Sequence, residues 1–180
     1  DAIENELRKL IDPTSLPEAR AGILGWPING AVLTQSFGNT PDAEILYNGK
    51  PHNGIDIRAR TGTPVFAAEN GEVWEVGDTD VFSRCLSYGK WVLVRHPNNF
   101  ATLYAHLSLI KVGKGDIVER GGTIAYSGYS GYTVPAGPGG AHLHFTVYDA
   151  NTVRFSASNI QTSSCKFLPF GGYLNPLAYL

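Results

Sequence analysis

Five side chains have types and spacing suited to holding and using a metal ion. His52 and Asp56 fall in H52-N-G-I-D56, and His142 and His144 in H142-L-H144, far apart along the sequence. Imidazole and carboxylate are preferred donors for first-row metals such as zinc. Side chains two or four apart in an extended chain share a face, so each cluster can aim both of its groups into one cavity. If the fold joins the clusters, the chain holds one zinc ion and is a hydrolase.

Asp56 carries a second signal, because it lies between Ile55 and Ile57. A carboxylate flanked by β-branched apolar residues is costly to bury unless a cation or strong hydrogen bonds compensate it. Ile55, Ile57 and Ala59 then turn into packing while Asp56 faces the other way. The fifth candidate, His106, ends L103-Y-A-H106, and strict alternation puts it with Tyr104 on the face opposite Leu103, Ala105 and Leu107. Three protein ligands plus a water make a catalytic zinc site. Two imidazoles are then left to take a proton from water and to steady an oxyanion or protonate a leaving amine. Spacing alone does not choose which histidines ligate.

Each feature has a plainer explanation when taken singly. His and Asp often occur together in loops, and alternate histidines suit a solvent-facing strand. His96, between Arg95 and Pro97, is read as a surface or satisfied core residue. Tyr104, Tyr126, Tyr129 and Tyr132 read equally well as ordinary sheet and loop aromatics.

The elements that must position these groups are mostly strands. Ile3, Leu7, Leu10 and Ile11 recur at helical spacing, so residues 1 to about 12 read as the end of a helix, stopped by Pro13 and Pro17. Residues 1–21 are therefore taken as a helical segment and linker, and 22–180 as the main domain. Beyond Gly22, short apolar or alternating runs predict strands over 32–37, 64–67, 71–76, 91–96, 101–106, 116–118, 123–126, 142–148 and 152–155. Turn markers such as Asn70-Gly71 and Gly121-Gly122 separate them. No amphipathic helix is evident after Pro17, which predicts an all-β, antiparallel domain with loops around a site. The stretch G128-Y-S-G-Y-T-V-P-A-G-P-G-G140 is expected to form a rim beside the second histidine cluster.

Composition narrows the function further. With 180 residues and 43% hydrophobic content, the chain can build a real core. A net charge of -2 and a pI near 6.2 give no basic field for nucleic acid. No run of about 18 apolar residues spans a bilayer. The two cysteines, Cys85 and Cys165, lack the clustering of a thiolate zinc site, which leaves a disulfide or two separate thiols. Their polar, Ser-rich surroundings favour the disulfide, and an oxidising compartment would follow.

In order, H52-N-G-I-D-I57, A59-R-T-G-T-P-V65, A68-E-N-G-E-V73, L103-Y-A-H-L-S108, V112-G-K-G-D-I-V118 and H142-L-H-F145 resemble the M23 family of zinc metallopeptidases, the lysostaphin-like or LytM-like endopeptidases of bacterial cell walls. The likeness runs from about Trp26 to Leu180. It implies a groove-bearing antiparallel β domain of the lysostaphin-like type, following the short N-terminal helix, and zinc held by His52, Asp56 and His144. His106 and His142 would be the unligated pair that activates water and steadies the tetrahedral intermediate. It further implies peptidoglycan peptides as partners, cleavage in cross-links or stem peptides, and a place in the periplasm, the envelope or outside the cell. A helical or anchoring region preceding Asp1 would fit the same picture. Thr146 stands where the family usually has an acidic residue, and the loop before the last cluster ends G139-G-A-H142; neither change removes a ligand.

Two other function classes share some of these features. A non-catalytic wall-binding domain, or an activator of other wall hydrolases, would keep the fold without turnover. A small-molecule metallohydrolase or sugar-binding jelly roll would hold histidines on strands around a closed pocket, not an open groove.

Overall fold

The computed structural model describes residue 6, residues 10–47, 49–83, 85, 87–156, 165 and 167–180. Alternating apolar positions form twelve strands among them: β1 (Leu33–Gln35), β2 (Ile55–Arg58), β3 (Pro64–Phe66), β4 (Gly71–Asp78), β5 (Lys90–Arg95), β6 (Phe100–Ile110), β7 (Ile117–Val118), β8 (Thr123–Ser127), β9 (His142–Asp149), β10 (Arg154–Phe155), β11 (Pro169–Phe170) and β12 (Tyr173–Leu174). One antiparallel sheet runs β1-β2-β9-β6-β5-β4-β7, with β12 added to β9, β8 to β6 and β3 to β8. β10 and β11 pair separately. The expected antiparallel all-β domain is therefore present.

Period-two alternation divides this sheet into two packed faces. Ile55, Ile57, Leu143, Phe145, Val147 and Tyr104 belong to one core. Leu103, Ala105, Leu93, Trp91 and Tyr148 belong to the other. His142, His144 and Thr146 alternate with Leu143 and Phe145 along β9, so they lie on the second face, beside the apolar cluster of Tyr148 and Leu103. The two histidines of β9 thus share the second face.

Several elements differ from the sequence expectation. A six-residue helix, α1 (Pro41–Leu46), follows β1, capped by the Thr40 hydroxyl accepting from the Ala43 N–H and with Pro at its first position. It is too short to show helical periodicity. The strand expected over 152–155 divides into a 3-10 turn, Ala150–Thr152, and the two-residue β10. The helix expected over residues 1 to 12 lies mostly outside the described residues; Glu6 is helical, and a 3-10 turn at Pro13–Ser15 is capped by Asp12. His96 is a satisfied core residue, with Nδ1 on the Asn70 carbonyl and Nε2 on the Thr102 hydroxyl. No helix among the described residues is long and apolar enough to cross a membrane.

Cys85 and Cys165 form a disulfide. It ties the segment after β4, which continues as one π turn at Thr79–Ser83, to the C-terminal region that carries β11.

Candidate metal centre

β2 and β9 are direct neighbours, and their register brings the two sequence clusters together. Asp56 pairs with His144, and Ile57 with Leu143. Gly54 allows this approach: a Cβ there would run into the Phe145 carbonyl and would meet the Thr146 hydroxyl at 2.7 Å and the His144 ring at 3.0 Å. His52, on the loop entering β2, is bridged to Gly38 just after β1. His52, Asp56 and His144 each offer a ligand atom within 4.8 Å of the others, and all three are buried.

The hydrogen bonds decide what these atoms present. His52 Nδ1 donates to the Ser36 carbonyl at 2.9 Å, which leaves the Nε2 lone pair pointing inward. His144 Nε2 lies 2.9 Å from the Thr146 hydroxyl, which can accept its N–H and leave the Nδ1 lone pair inward. That Nδ1 is 3.1 Å from His52 Nε2 and 2.9 Å from Asp56 Oδ1, and His52 Nε2 is 3.3 Å from the same oxygen. Three acceptors thus converge with no donor among them. A divalent cation bound by nitrogen and oxygen resolves this arrangement, so the residues fit a metal.

The charges agree with that assignment. Burial pushes the Asp56 carboxyl up, but the adjoining His144 and His52 imidazoles favour its ionised form, outweigh the burial and hold the group well below the usual carboxylate range. Burial holds His144 below the ordinary histidine value, against the opposing pull of Asp56. An ionised Asp56 beside a neutral His144 is the protonation state a metal needs.

His106 reaches the same centre by a route that alternation does not predict. β6 pairs with β9 through Ala105 and with β8 from Leu107 onward, and the ladder to β5 shifts register between Tyr104 and Leu107. His106 sits in that irregularity with φ 59°. Tyr104 and Leu107 point into one core and Ala105 into the other, so His106 does not share a face with Tyr104 as expected. It turns toward His142, with ring centroids 4.6 Å apart, and toward His144, at 6.0 Å. Its Nδ1 donates to the Ser130 carbonyl at 2.8 Å, and His142 Nδ1 donates to the Gly140 carbonyl at 2.8 Å. Both acceptors lie in the Gly-rich stretch expected to form a rim. Burial, reinforced by His142 and His144, lowers His106 to about 3.

Residues 50–155 match the sequence profile described as peptidase family M23. The chain belongs to that family. It is 31% identical over 139 residues to the cell division protein DipM of Caulobacter vibrioides, covering 77% of this chain and 20% of that protein. To the peptidoglycan DD-endopeptidase ShyA of Vibrio cholerae it is 40% identical over 116 residues, or 63% of this chain and 24% of that protein. The chain thus spans a quarter or less of these two curated relatives. Among solved structures, a zinc-containing peptidase from Vibrio cholerae aligns with TM-score 0.57 and 30% identity over 70% of this chain and 36% of the other. The catalytic domain of lysostaphin from Staphylococcus simulans aligns with TM-score 0.58 and 26% identity over 83% of this chain and 91% of the other.

Against this M23 background, Thr146 is informative: at the position where the family usually has an acid, its hydroxyl orients His144. Sequence reasoning did not find Tyr47 and Tyr88. The Tyr47 ring stacks on His52 at 5.5 Å, and the Tyr88 ring on His144 at 5.6 Å. Asn53 Nδ2 donates to the Tyr88 hydroxyl at 2.7 Å. Burial, then the charge of Asp56, raises the Tyr47 phenol well above its ordinary value, so it stays a donor. Among the tyrosines singled out from sequence, Tyr104 lies wholly in the core, its hydroxyl accepting the Ala68 N–H. No pattern in sequence marks Tyr47 or Tyr88, because α1 and the segment after β4 deliver them only in three dimensions.

Proposed function

We propose that this chain is a zinc-dependent endopeptidase that hydrolyses peptide bonds in peptidoglycan cross-links or stem peptides. The observation that carries the reading is the convergence of three lone-pair donors, His52, Asp56 and His144, beside two further imidazoles whose Nε2 atoms make no hydrogen bond among the described residues. The relatives support the substrate class, since ShyA and ShyB of Vibrio cholerae are peptidoglycan DD-endopeptidases.

His52, Asp56 and His144 would hold the zinc, which supplies Lewis acidity toward a peptide carbonyl and an acidified water when bound. His106 and His142, with their Nδ1 protons committed to carbonyls, present Nε2 as acceptors for the proton of the attacking water. A proton taken by His142 would face Asp56 Oδ1 at 3.7 Å, a counter-charge that steadies the imidazolium until the leaving amine takes the proton. Tyr47, kept as a phenol, is a hydrogen-bond donor for an oxygen that gains charge during attack. Tyr88 and the rim after β8 flank the centre opposite α1 and shape an extended peptide site.

Residues 22–180 form the peptidase domain in this reading, and residues 1–21 lead into it. The Cys85–Cys165 bridge supports an oxidising compartment outside the cytoplasm. The test is digestion of purified peptidoglycan of defined cross-link chemistry, with products identified by mass spectrometry, alongside metal analysis of variants. The intact protein is expected to release peptide fragments and to stop when chelated. His144→Ala is expected to lose zinc, and His106→Ala to keep zinc and lose turnover by roughly a hundredfold or more. Full zinc in His144→Ala would overturn the ligand set. A zinc-loaded protein that releases nothing from any wall would overturn the hydrolase reading in favour of a wall-binding or activating domain.

A further inference from the structure

The rim of the metal centre holds two polar side chains that the chemistry above does not use. Alternation along β2 sends Ile55 and Ile57 into the core and Asp56 into the metal cluster, so Arg58 returns to the metal face. Its direct partner across the ladder is His142. Directly opposed residues stand side by side, so Arg58 starts beside His142 and two strand residues, about 6.6 Å, from Asp56, a span that its long side chain can bridge. Lys90, Lys114 and Arg120 each face a carboxylate. Arg58 is exposed and, among the described residues, has no ion-pair or side-chain hydrogen-bond partner.

Gln35 lies across β2 from the neighbouring rung on the same face, that of Asp56 and His144. On the edge strand β1, the register shift after Leu33 sets it opposite Asp56. It is 8% exposed, yet its buried Nε2 has no hydrogen-bond partner. Buried donors are nearly always paired, and an orphaned one beside a reactive centre calls for a ligand that accepts. A guanidinium with no ion-pair partner and a buried amide N–H with no acceptor among the described residues, on one face of neighbouring strands, match a carboxylate.

We propose that Arg58, assisted by Gln35, anchors a free carboxylate carried by the substrate within one residue of the bond cleaved. This rests on the endopeptidase reading and deepens it: the preferred substrate is an anionic peptide, and a chain of neutral bridge residues is a poor one. The anchor discriminates against amidated peptides and fixes the register of the chain over the metal centre.

The test compares peptides that differ only in a free acid or a carboxamide, placed on the residue before or after the scissile bond. Cleavage is measured with zinc-loaded protein, and affinity by calorimetry in the zinc-loaded His106→Ala background. The intact protein is expected to favour the acid at one position by about tenfold in kcat/KM and in affinity, the discrimination of one charge-assisted contact. Arg58→Gln is expected to bring that ratio close to one, Arg58→Lys to restore part of it, and Gln35→Leu to reduce it. An unchanged ratio in Arg58→Gln, or equal use of acid and amide by the intact protein, overturns the anchor while leaving the endopeptidase standing. Acid-selective binding that depends on Arg58, without cleavage of any peptide, upholds the anchor and overturns the endopeptidase.

Discussion

His106 and His142 stand with ring centroids 4.6 Å apart although they come from strands on which simple alternation would turn them to opposite faces. His142 alternates regularly with Leu143 and so lies on the metal face. His106 joins it because the β6 irregularity gives Ala105 and His106 the same side, at the point where β6 exchanges β9 for β8 as its partner. The open Nε2 pair therefore depends on one residue of backbone irregularity as much as on the imidazoles themselves.

That dependence has a stability signature. His106 has φ 59°, a left-handed conformation that side chains with a Cβ disfavour. Replacing it by Gly is expected to leave a more stable protein than replacing it by Ala. Left-handed strain relief is partly offset by the freer unfolded chain of glycine, which leaves a net advantage of about 0.5–1 kcal/mol. Urea midpoints of His106→Gly and His106→Ala, both lacking the imidazole, give the comparison. Equal midpoints would mean that the backbone relaxes and that the conformation is not imposed by the strand exchange.

The disulfide bears on the site through the segment it anchors. Cys85 lies three residues before Tyr88, whose ring stacks on His144 and whose carbonyl accepts the His106 N–H at 2.8 Å. The double variant Cys85→Ser, Cys165→Ser is expected to lose roughly 2–4 kcal/mol of stability. It should also turn over peptide more slowly while keeping its zinc, because no metal ligand sits on that segment. Thermal melting, elemental analysis and a peptide assay separate the effects. Unchanged turnover at a lowered melting temperature would reduce the bridge to a support for the fold.

Much of this was legible from the residues alone, for a definite reason. A period of two sorts side chains by face, so Asp56 between two isoleucines and His142 beside Leu143 already announced which groups point toward a cation. The antiparallel all-β class followed from the same alternation and from the spacing of turns. What stayed hidden was whatever breaks the period or has none. His106 was assigned to the face of Tyr104 because an irregularity inside β6 leaves no local mark. α1 has a cap signal in T40-P-D but only six residues, fewer than two helical turns. β11 and β12, two residues each, are defined by their partners and not by their own sequence. Arg58 was within reach, since the alternation that exposes Asp56 also exposes the residue two further on.

The close approach of β2 to β9 gives a prediction about metal retention. A Cβ on Gly54 would press on the Phe145 carbonyl, the Thr146 hydroxyl and the His144 ring. Gly54→Ala is expected to destabilise by about 1–3 kcal/mol and to weaken zinc binding, since strands carrying two ligands are pushed apart. Gly113→Ala is the control: its nearest neighbour would be Asp116 Oδ2 at 3.9 Å, and its effect should stay within about 0.5 kcal/mol. Competition with a chromophoric chelator reads the affinity. A Gly54→Ala protein that binds zinc as the parent does would show that the ligand geometry tolerates separation of the two strands.

His96 makes stability depend on pH independently of the metal. Burial lowers its pKa below the ordinary 6.5, outweighing the Asn70 carbonyl and the charge of Glu69, so the folded protein holds it neutral. Below that value the unfolded chain binds a proton that the folded one refuses. The stabilisation is therefore complete above about pH 6.5 and drains away as pH falls toward the depressed folded value. His106 and His144 are shifted the same way and contribute to the same slope. A difference of differences isolates His96: chelated protein and its His96→Gln variant are each unfolded in urea at pH 7.5 and at pH 5.5. Glutamine keeps a donor for the Asn70 carbonyl and does not titrate, so the variant should lose less stability between the two pH values than its parent. Identical losses would mean that His96 takes up its proton inside the folded core, against the burial that encloses it.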